Sequence, residues 1–360
     1  MSIFKIEGEL TRLLKEAPIK TSAPCRVDMG GTLDIRSFYL PLGYLSPCTV
    51  NMALTLRTTV TLLPYDTGMI RVTSKGFDSA TFPLDTAPFN HPLGLVFAVT
   101  SYFRGEGVHV LIESASPPRS SLGGSSVAAV ALVAAFGAAG AKMGLGPQLS
   151  PARTALLAHA IEESVAGVPC GTQDQLAAAF GGVNAWYWKD GLAGPAFEQK
   201  TLLREEALSD FGQHLLVAYC GIPHESKNVN ARWVSRFLAG ESRGKWAEIT
   251  ELTHRFEAAV KNMDIPAAIN AMNREMAIRR EMTPDVLDDI GQLLVAAANR
   301  SGCGARISGA GGGGCIWALG ETGNINNLRT VWEPILGTRS DARLLAAGID
   351  ARGVRVEALE

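Results

Sequence analysis

A chain of 360 residues with 47% apolar content and a formal net charge of −2 has material enough for one large domain or two lobes. Its 33 Lys and Arg balance 35 Asp and Glu without forming a basic block, which excludes nucleic acid and an anionic membrane surface as main partners and leaves a small ligand. Cys25, Cys48, Cys170, Cys220, Cys303 and Cys315 are scattered with no C-x-x-C pair, so reduced, mostly buried thiols are expected.

In chain order, the first twenty residues mix Lys, Glu and Arg with Leu and Ile and offer no apolar core for a signal peptide; a cytoplasmic location is the expectation. Strand-like runs at 58–63, 69–73 and 108–112 alternate with Gly/Pro turns. Helices are predicted over 127–142 and 151–163, the second opened by Ser150 as N-cap and Pro151 at the first helical position. The apolar run 127–141 is shorter than a membrane span and is interrupted by Gly137 and Gly140, so it reads as a core helix. Trp186, Tyr187 and Trp188 read as core. After residues 190–194 the texture changes to amphipathic helix from about 227 to 300, followed by a glycine-rich loop at 308–315 and a strand at 315–319. An α+β protein of two lobes is predicted, with a boundary at about 195.

The junction Pro117-P-R-S-S-L-G-G-S-Ser126 places four serines and two glycines between a strand and an apolar helix. Such a loop delivers backbone N–H groups to the positive end of the helix dipole, which makes it an anion site. Gly123 and Gly124 let the backbone approach phosphate oxygens, and the hydroxyls add donors and a metal ligand. A second glycine loop, Ser308-G-A-G-G-G-Gly314, runs into a strand rather than a helix, which argues against a dinucleotide fold. The sequence has no G-x-x-x-x-G-K-[ST], so a Walker-type nucleotide site is excluded as well.

These two loops together with Ala23-P-C-R-V-D-M-G-G-T-L-Asp34 resemble the three ordered motifs of the GHMP small-molecule kinases across nearly the whole chain. Gly171-T-Q-D-Q-L-A-A-A-F-G-G-V-Asn184 is similar to the corresponding segment of the sugar-kinase branch, the heptose and fucose kinases in particular. Ser121 departs from the glycine usual at its place. The resemblance implies a two-lobed fold, with a ribosomal-protein-S5 domain 2-like lobe over 1–195 and a helix-rich α/β lobe over 196–360, and ATP, Mg²⁺ and a sugar between them.

Residue by residue, the resemblance implies ATP phosphates on Pro118, Ser120, Ser121, Gly123, Gly124, Ser125 and Ser126, with Gly309, Gly311 and Gly312 completing the nucleotide site. It implies Mg²⁺ held by Ser125 and Glu162, with Glu163 as the alternative to Glu162. Asp174 is the implied general base, with Arg26 beside it to keep it ionised; Asp34, Gly31, Gly171 and His224 are the implied acceptor contacts. Plainer alternatives are a helix-capping Asp174, solvated Glu162 and Glu163, a turn Asp34 and a structural His224. Asp28 stands where varied polar residues occur. The expected function is an ATP-dependent kinase acting on a heptose, a heptose phosphate or a fucose-like sugar, as a soluble protein for which a homodimer is compatible. The alternatives are a galactokinase, an isoprenoid-type kinase of the same fold, against which the Q-D-Q segment counts, and a silent nucleotide- and sugar-binding sensor. Retention of Asp174, Arg26, Ser125 and Glu162 together favours the enzyme.

Overall fold

The computed structural model describes residues 8–357 except 168, 193, 224 and 225, and only the backbone of 226–228. Its strands are β1 (Ile19–Met29), β2 (Cys48–Pro64), β3 (Met69–Ser74), β4 (Ala80–Pro83), β5 (Val108–Ser114), β6 (Val183–Trp188), β7 (Phe197–Thr201), β8 (Leu215–Tyr219), β9 (Gly304–Ile307), β10 (Cys315–Leu319), β11 (Arg343–Leu345) and β12 (Arg355–Glu357). An eight-stranded sheet runs in the order β12-β1-β2-β5-β3-β4, with β6 and β7 added to the other half of β2. The length of β2 makes this possible: Thr58–Pro64 pairs with β5 while Cys48–Met52 pairs with β6. Most pairs are antiparallel, and β3 with β5 is parallel. The tail returns to this sheet as β12 on β1, so β7 and β12 lie beyond residue 195 in the chain and still belong to the first sheet.

Under the sheet lies the helix Gly124–Lys142, apolar on every face because it is enclosed between strands and the helices Pro151–Ala166 and Gln173–Phe180. By length and composition it could cross a membrane, but most of it is buried inside the protein, as the sequence predicts. Ser150 caps the next helix as its pattern predicts, accepting the N–H of Arg153 at 3.3 Å. Trp186, Tyr187 and Trp188 are buried. The second lobe carries the antiparallel sheet β11-β8-β10-β9 and the helices Ser226–Leu238, Arg243–Lys261, Ile265–Met282, Asp289–Arg300 and Thr322–Leu336.

Candidate active site

The register of β1 against β2 shifts between Pro24 and Cys25, where Pro24 has no N–H to give the ladder. Just past this bulge Arg26 stands opposite Ala53 of β2, and its N–H reaches the Leu122 carbonyl at 3.2 Å. Its guanidinium, in a residue only 3% exposed, gathers distant segments. Nε and Nη2 meet Asp174 Oδ1 at 2.7 Å, and Nη1 donates to the Ser121 carbonyl at 2.7 Å and Ser308 Oγ at 2.9 Å. Asp28 lies 3.5 Å from Nη1. One buried cation thus ties the three glycine-bearing motifs to the Gln173–Phe180 helix.

The serine and glycine loop opens the helix at Gly124 with Gly123 in the left-handed region, φ 78°. The first intrahelical bond is Val127 N–H to the Gly123 carbonyl at 2.9 Å, so the N–H groups of Gly124, Ser125 and Ser126 have no acceptor within the helix. They face a cleft of about 570 Å³ that also exposes Pro118, Ser120, Ser121, Arg26, Asp34, Glu162, Gly171 and Asp174. Ser121 adopts φ 63°, the conformation that the glycine usual at this place takes without strain. Its carbonyl, held by Arg26 and by Ser308 Oγ at 2.9 Å, fixes it there.

Three carboxylates line the cleft, and the segment Gln173, Asp174, Gln175 serves each of them. Gln173 donates its N–H to Asp34 Oδ2 at 3.0 Å. Asp174 pairs with Arg26, and no side chain caps its helix. Gln175 Nε2 donates to Glu162 Oε2 at 2.7 Å. The sequence marks the Q-D-Q segment but not what its two glutamines hold, since their partners lie on other segments. Glu162 also accepts from Ser125 Oγ at 2.5 Å and Ser126 Oγ at 2.7 Å; burial of its carboxylate pushes its pKa up against those hydroxyls. A desolvated carboxylate beside a serine hydroxyl at a helix N-terminus is a donor set that suits a hard divalent cation such as Mg²⁺. Glu163 instead points outward beside His159 at 3.9 Å.

Asp34 is 4% exposed, and its pKa is raised to about 7, first by burial and then, against the Gln173 N–H, by the charge of Asp174. The folded state therefore holds this proton where the unfolded chain has released it, so Asp34 favours folding fully below about pH 4 and loses that contribution as pH rises to about 7. The ligand-free protein is expected to lose up to about 4 kcal/mol across this window on account of Asp34. Denaturant titrations at pH 5 and pH 8 check this: Asp34→Asn should flatten the difference, and an unchanged difference would place the pKa elsewhere.

Of the third motif, Gly309 lines the cleft while Gly311 and Gly312 are not in its lining. The Gly309 N–H donates to Asp28 Oδ1 at 2.7 Å and the Gly312 N–H to the Val286 carbonyl at 2.9 Å. Gly311 is pressed against Val286 and Ile307, and of the three glycines only Gly309 lines the cleft. The Gly309 and Gly312 amides thus already have acceptors within the chain. Gly31 is likewise behind the site, with its carbonyl accepting from Arg279 Nη2 at 2.7 Å. Gly171 does face the cleft and lies so close to Asp34 that a Cβ there would overlap the carboxylate. His224 lies outside the described residues. Asp28, unassigned from sequence, is fully buried; burial raises its pKa, but Arg306 and Arg26 outweigh this and hold it below the usual range. Arg306 continues to Glu275 at 3.1 Å, a buried chain of charges from the first motif to the second lobe.

The family model for the GHMP kinases N terminal domain matches residues 90–182, and that for the GHMP kinases C terminal matches 256–333. A mevalonate kinase of Pyrococcus horikoshii is 27% identical over 295 residues, covering 74% of this chain and 80% of its own. The structure of Lactococcus lactis galactokinase complexed with galactose superposes with a TM-score of 0.70 at 17% identity, over 96% of this chain and 99% of the other. A D-glycero-D-manno-heptose 1-phosphate kinase from Bacteriodes thetaiotaomicron gives 0.69 at 16% identity, over 95% and 99%.

Proposed function

The chain belongs to the GHMP kinases, and from that premise we propose that it transfers the γ-phosphoryl group of ATP to a hydroxyl of a monosaccharide, a heptose, a heptose phosphate or a fucose-like sugar. What carries this reading is the Arg26 and Asp174 pair set against the open N–H groups of the serine loop: a Cβ at Gly123 would lie 3.2 Å from Asp174 Oδ2, so a proton acceptor and a phosphate cradle share one wall. Loop N–H groups and serine hydroxyls bind the phosphates, and Ser125 with Glu162 would hold Mg²⁺, which neutralises charge on the phosphates when bound. Asp174 accepts the proton of the acceptor hydroxyl at its free oxygen while Arg26 holds the other oxygen in place. Asp34, with Gly171 leaving it room, orients the sugar by hydrogen bonds. In this proposal residues 1–195 supply the phosphate loop and the base, residues 196–360 close the cleft, and the protein works in the cytoplasm.

An isoprenoid-type acceptor is the second reading, favoured by the mevalonate kinase relative. Against it, the acceptor end presents Asp34 and Asp174, partners suited to hydroxyl groups, with Arg26 already engaged by Asp174. ADP release measured over heptoses, heptose phosphates, fucose, galactose, mannose and mevalonate decides between them. ATP and sugar binding without ADP release on any of these would make the protein a sensor.

The loop has its own test. A Cβ at Gly124 meets only Ser116 Oγ, at 4.0 Å, so Gly124→Val should leave the fold intact and weaken ATP binding by filling the phosphate side. Gly123→Ala should instead lower stability by about 1 kcal/mol for its left-handed backbone and disturb Asp174. Calorimetry of ATP binding alongside thermal melts separates the two, and a folded Gly124→Val protein with unchanged ATP affinity would remove this loop from the site.

A further inference from the structure

The two lobes meet again away from the cleft, where Cys48 at the start of β2 faces His254 and Glu257 on the helix Arg243–Lys261. Their ligand atoms lie within 4.8 Å of one another. We propose that Cys48 Sγ, His254 Nδ1 and the Glu257 carboxylate form a site for a thiolate-binding divalent transition metal of the Zn²⁺ kind, clipping this helix to the sheet.

The histidine is set for it. Its Nε2 lies 3.1 Å from the Leu45 carbonyl; a carbonyl can only accept, so Nε2 carries the proton and Nδ1 presents its lone pair, the arrangement that orients metal-bound imidazoles. Nδ1 is 3.9 Å from Cys48 Sγ. Zinc bonds of about 2.3 Å to sulfur and about 2.0 Å to nitrogen at a tetrahedral angle put the two ligand atoms about 3.5 Å apart, so the observed gap closes with a small rotation. His254 and Glu257, three residues apart, share one helix face, and Tyr187 on β6 donates its hydroxyl to Glu257 Oε2, fixing the carboxylate from outside. On binding, the Cys48 S–H bond breaks, its proton leaves to solvent and a sulfur–metal bond forms. The thiolate and carboxylate then cancel the 2+ charge in a region where Cys48 is fully buried, with the Lys200 ammonium kept over the Tyr187 ring at 3.8 Å. A fourth position is left to water. Cys48 lies 206 positions before His254, which is why no cysteine spacing announces the site.

The inference is independent of the kinase reading, and its test reads spectra rather than turnover. The full chain, stripped of metal and kept reduced, is titrated with Co²⁺. The expected result is one equivalent producing a thiolate-to-cobalt charge-transfer band with intense visible bands of a four-coordinate site, all displaced by Zn²⁺. Cys48→Ala should abolish the charge-transfer band and Glu257→Gln should weaken binding by roughly 10- to 100-fold. Zn²⁺ at a hundredfold excess over its Kd should raise the wild-type melting midpoint by roughly 3–5 °C, an effect that Glu257→Gln should cut to roughly half or less at the same concentration and that stands as the check if Cys48→Ala does not fold. Uptake through oxygen ligands alone with no charge-transfer band, no uptake, or a band that survives in folded Cys48→Ala would overturn the proposal.

Discussion

Asp174→Asn should lower turnover by roughly 10²- to 10⁴-fold while the affinity for ATP hardly changes. The carboxylate has two different faces: Oδ1 is taken by Arg26 Nε and Nη2 at 2.7 Å, and Oδ2 points along the Gly123 wall of the cleft. An asparagine of the same size must turn its amide oxygen to the guanidinium, because two N–H donors would otherwise face each other. That leaves an NH₂ group toward the acceptor, where the proton needs a base. Arg26 keeps Asp28, the Ser121 carbonyl and Ser308, so the loop that binds phosphate stays in place. The weakened ion pair should cost about 1–2 kcal/mol in stability. Steady-state ADP release with an accepted sugar, together with ATP calorimetry, reads both quantities. A variant that turns over normally would mean Asp174 is not the base, and one that loses ATP would mean the substitution disturbs the phosphate loop.

What sequence made legible here is what local chemistry determines. The strand, serine–glycine loop and apolar helix are contiguous, so the open helix N-terminus at Gly124 could be read from residues 117–136 alone, and Ser150 with Pro151 marks a helix start by itself. The resemblance added Asp174, Arg26 and Glu162, and the geometry brings them to one cleft. It says less about the third motif, because a run of glycines signals only unusual backbone angles; the φ values of 63° to 101° over Gly309 and Gly311–Gly314 serve the turn between β9 and β10 and close packing. The partners of Gln173, Gln175 and Ser308 and the chain from Asp28 through Arg306 to Glu275 were illegible for another reason. Each acts through a partner on another segment, such as Ser308 across 282 positions to Arg26, and no pattern within a window encodes that.

Glu162→Gln is expected to separate metal binding from folding. The wild-type carboxylate accepts three hydrogen bonds, from Ser125, Ser126 and Gln175, yet burial still raises its pKa, so as an anion without a cation it is held at a cost. Glutamine removes that charge, keeps the shape, and leaves hydroxyl rotors and a reversible Gln175 amide able to regroup. Stability in the absence of metal should therefore stay level or rise, most clearly as pH climbs through the raised pKa of the wild-type carboxylate, which withdraws stability as it ionises. ATP without metal should bind at least as well, because a negative charge has left the phosphate side. Activity should behave in the opposite way, with the Mg²⁺ concentration for half-maximal turnover rising at least roughly 10- to 100-fold and turnover at saturating ATP falling by roughly 10²- to 10³-fold. Glu163→Gln, on the outward face beside His159, is the control and should leave the Mg²⁺ requirement unchanged. A Glu162→Gln protein that unfolds at low temperature would make this carboxylate a structural acceptor for the serine loop, and one that keeps its Mg²⁺ requirement would move the metal ligand to another residue.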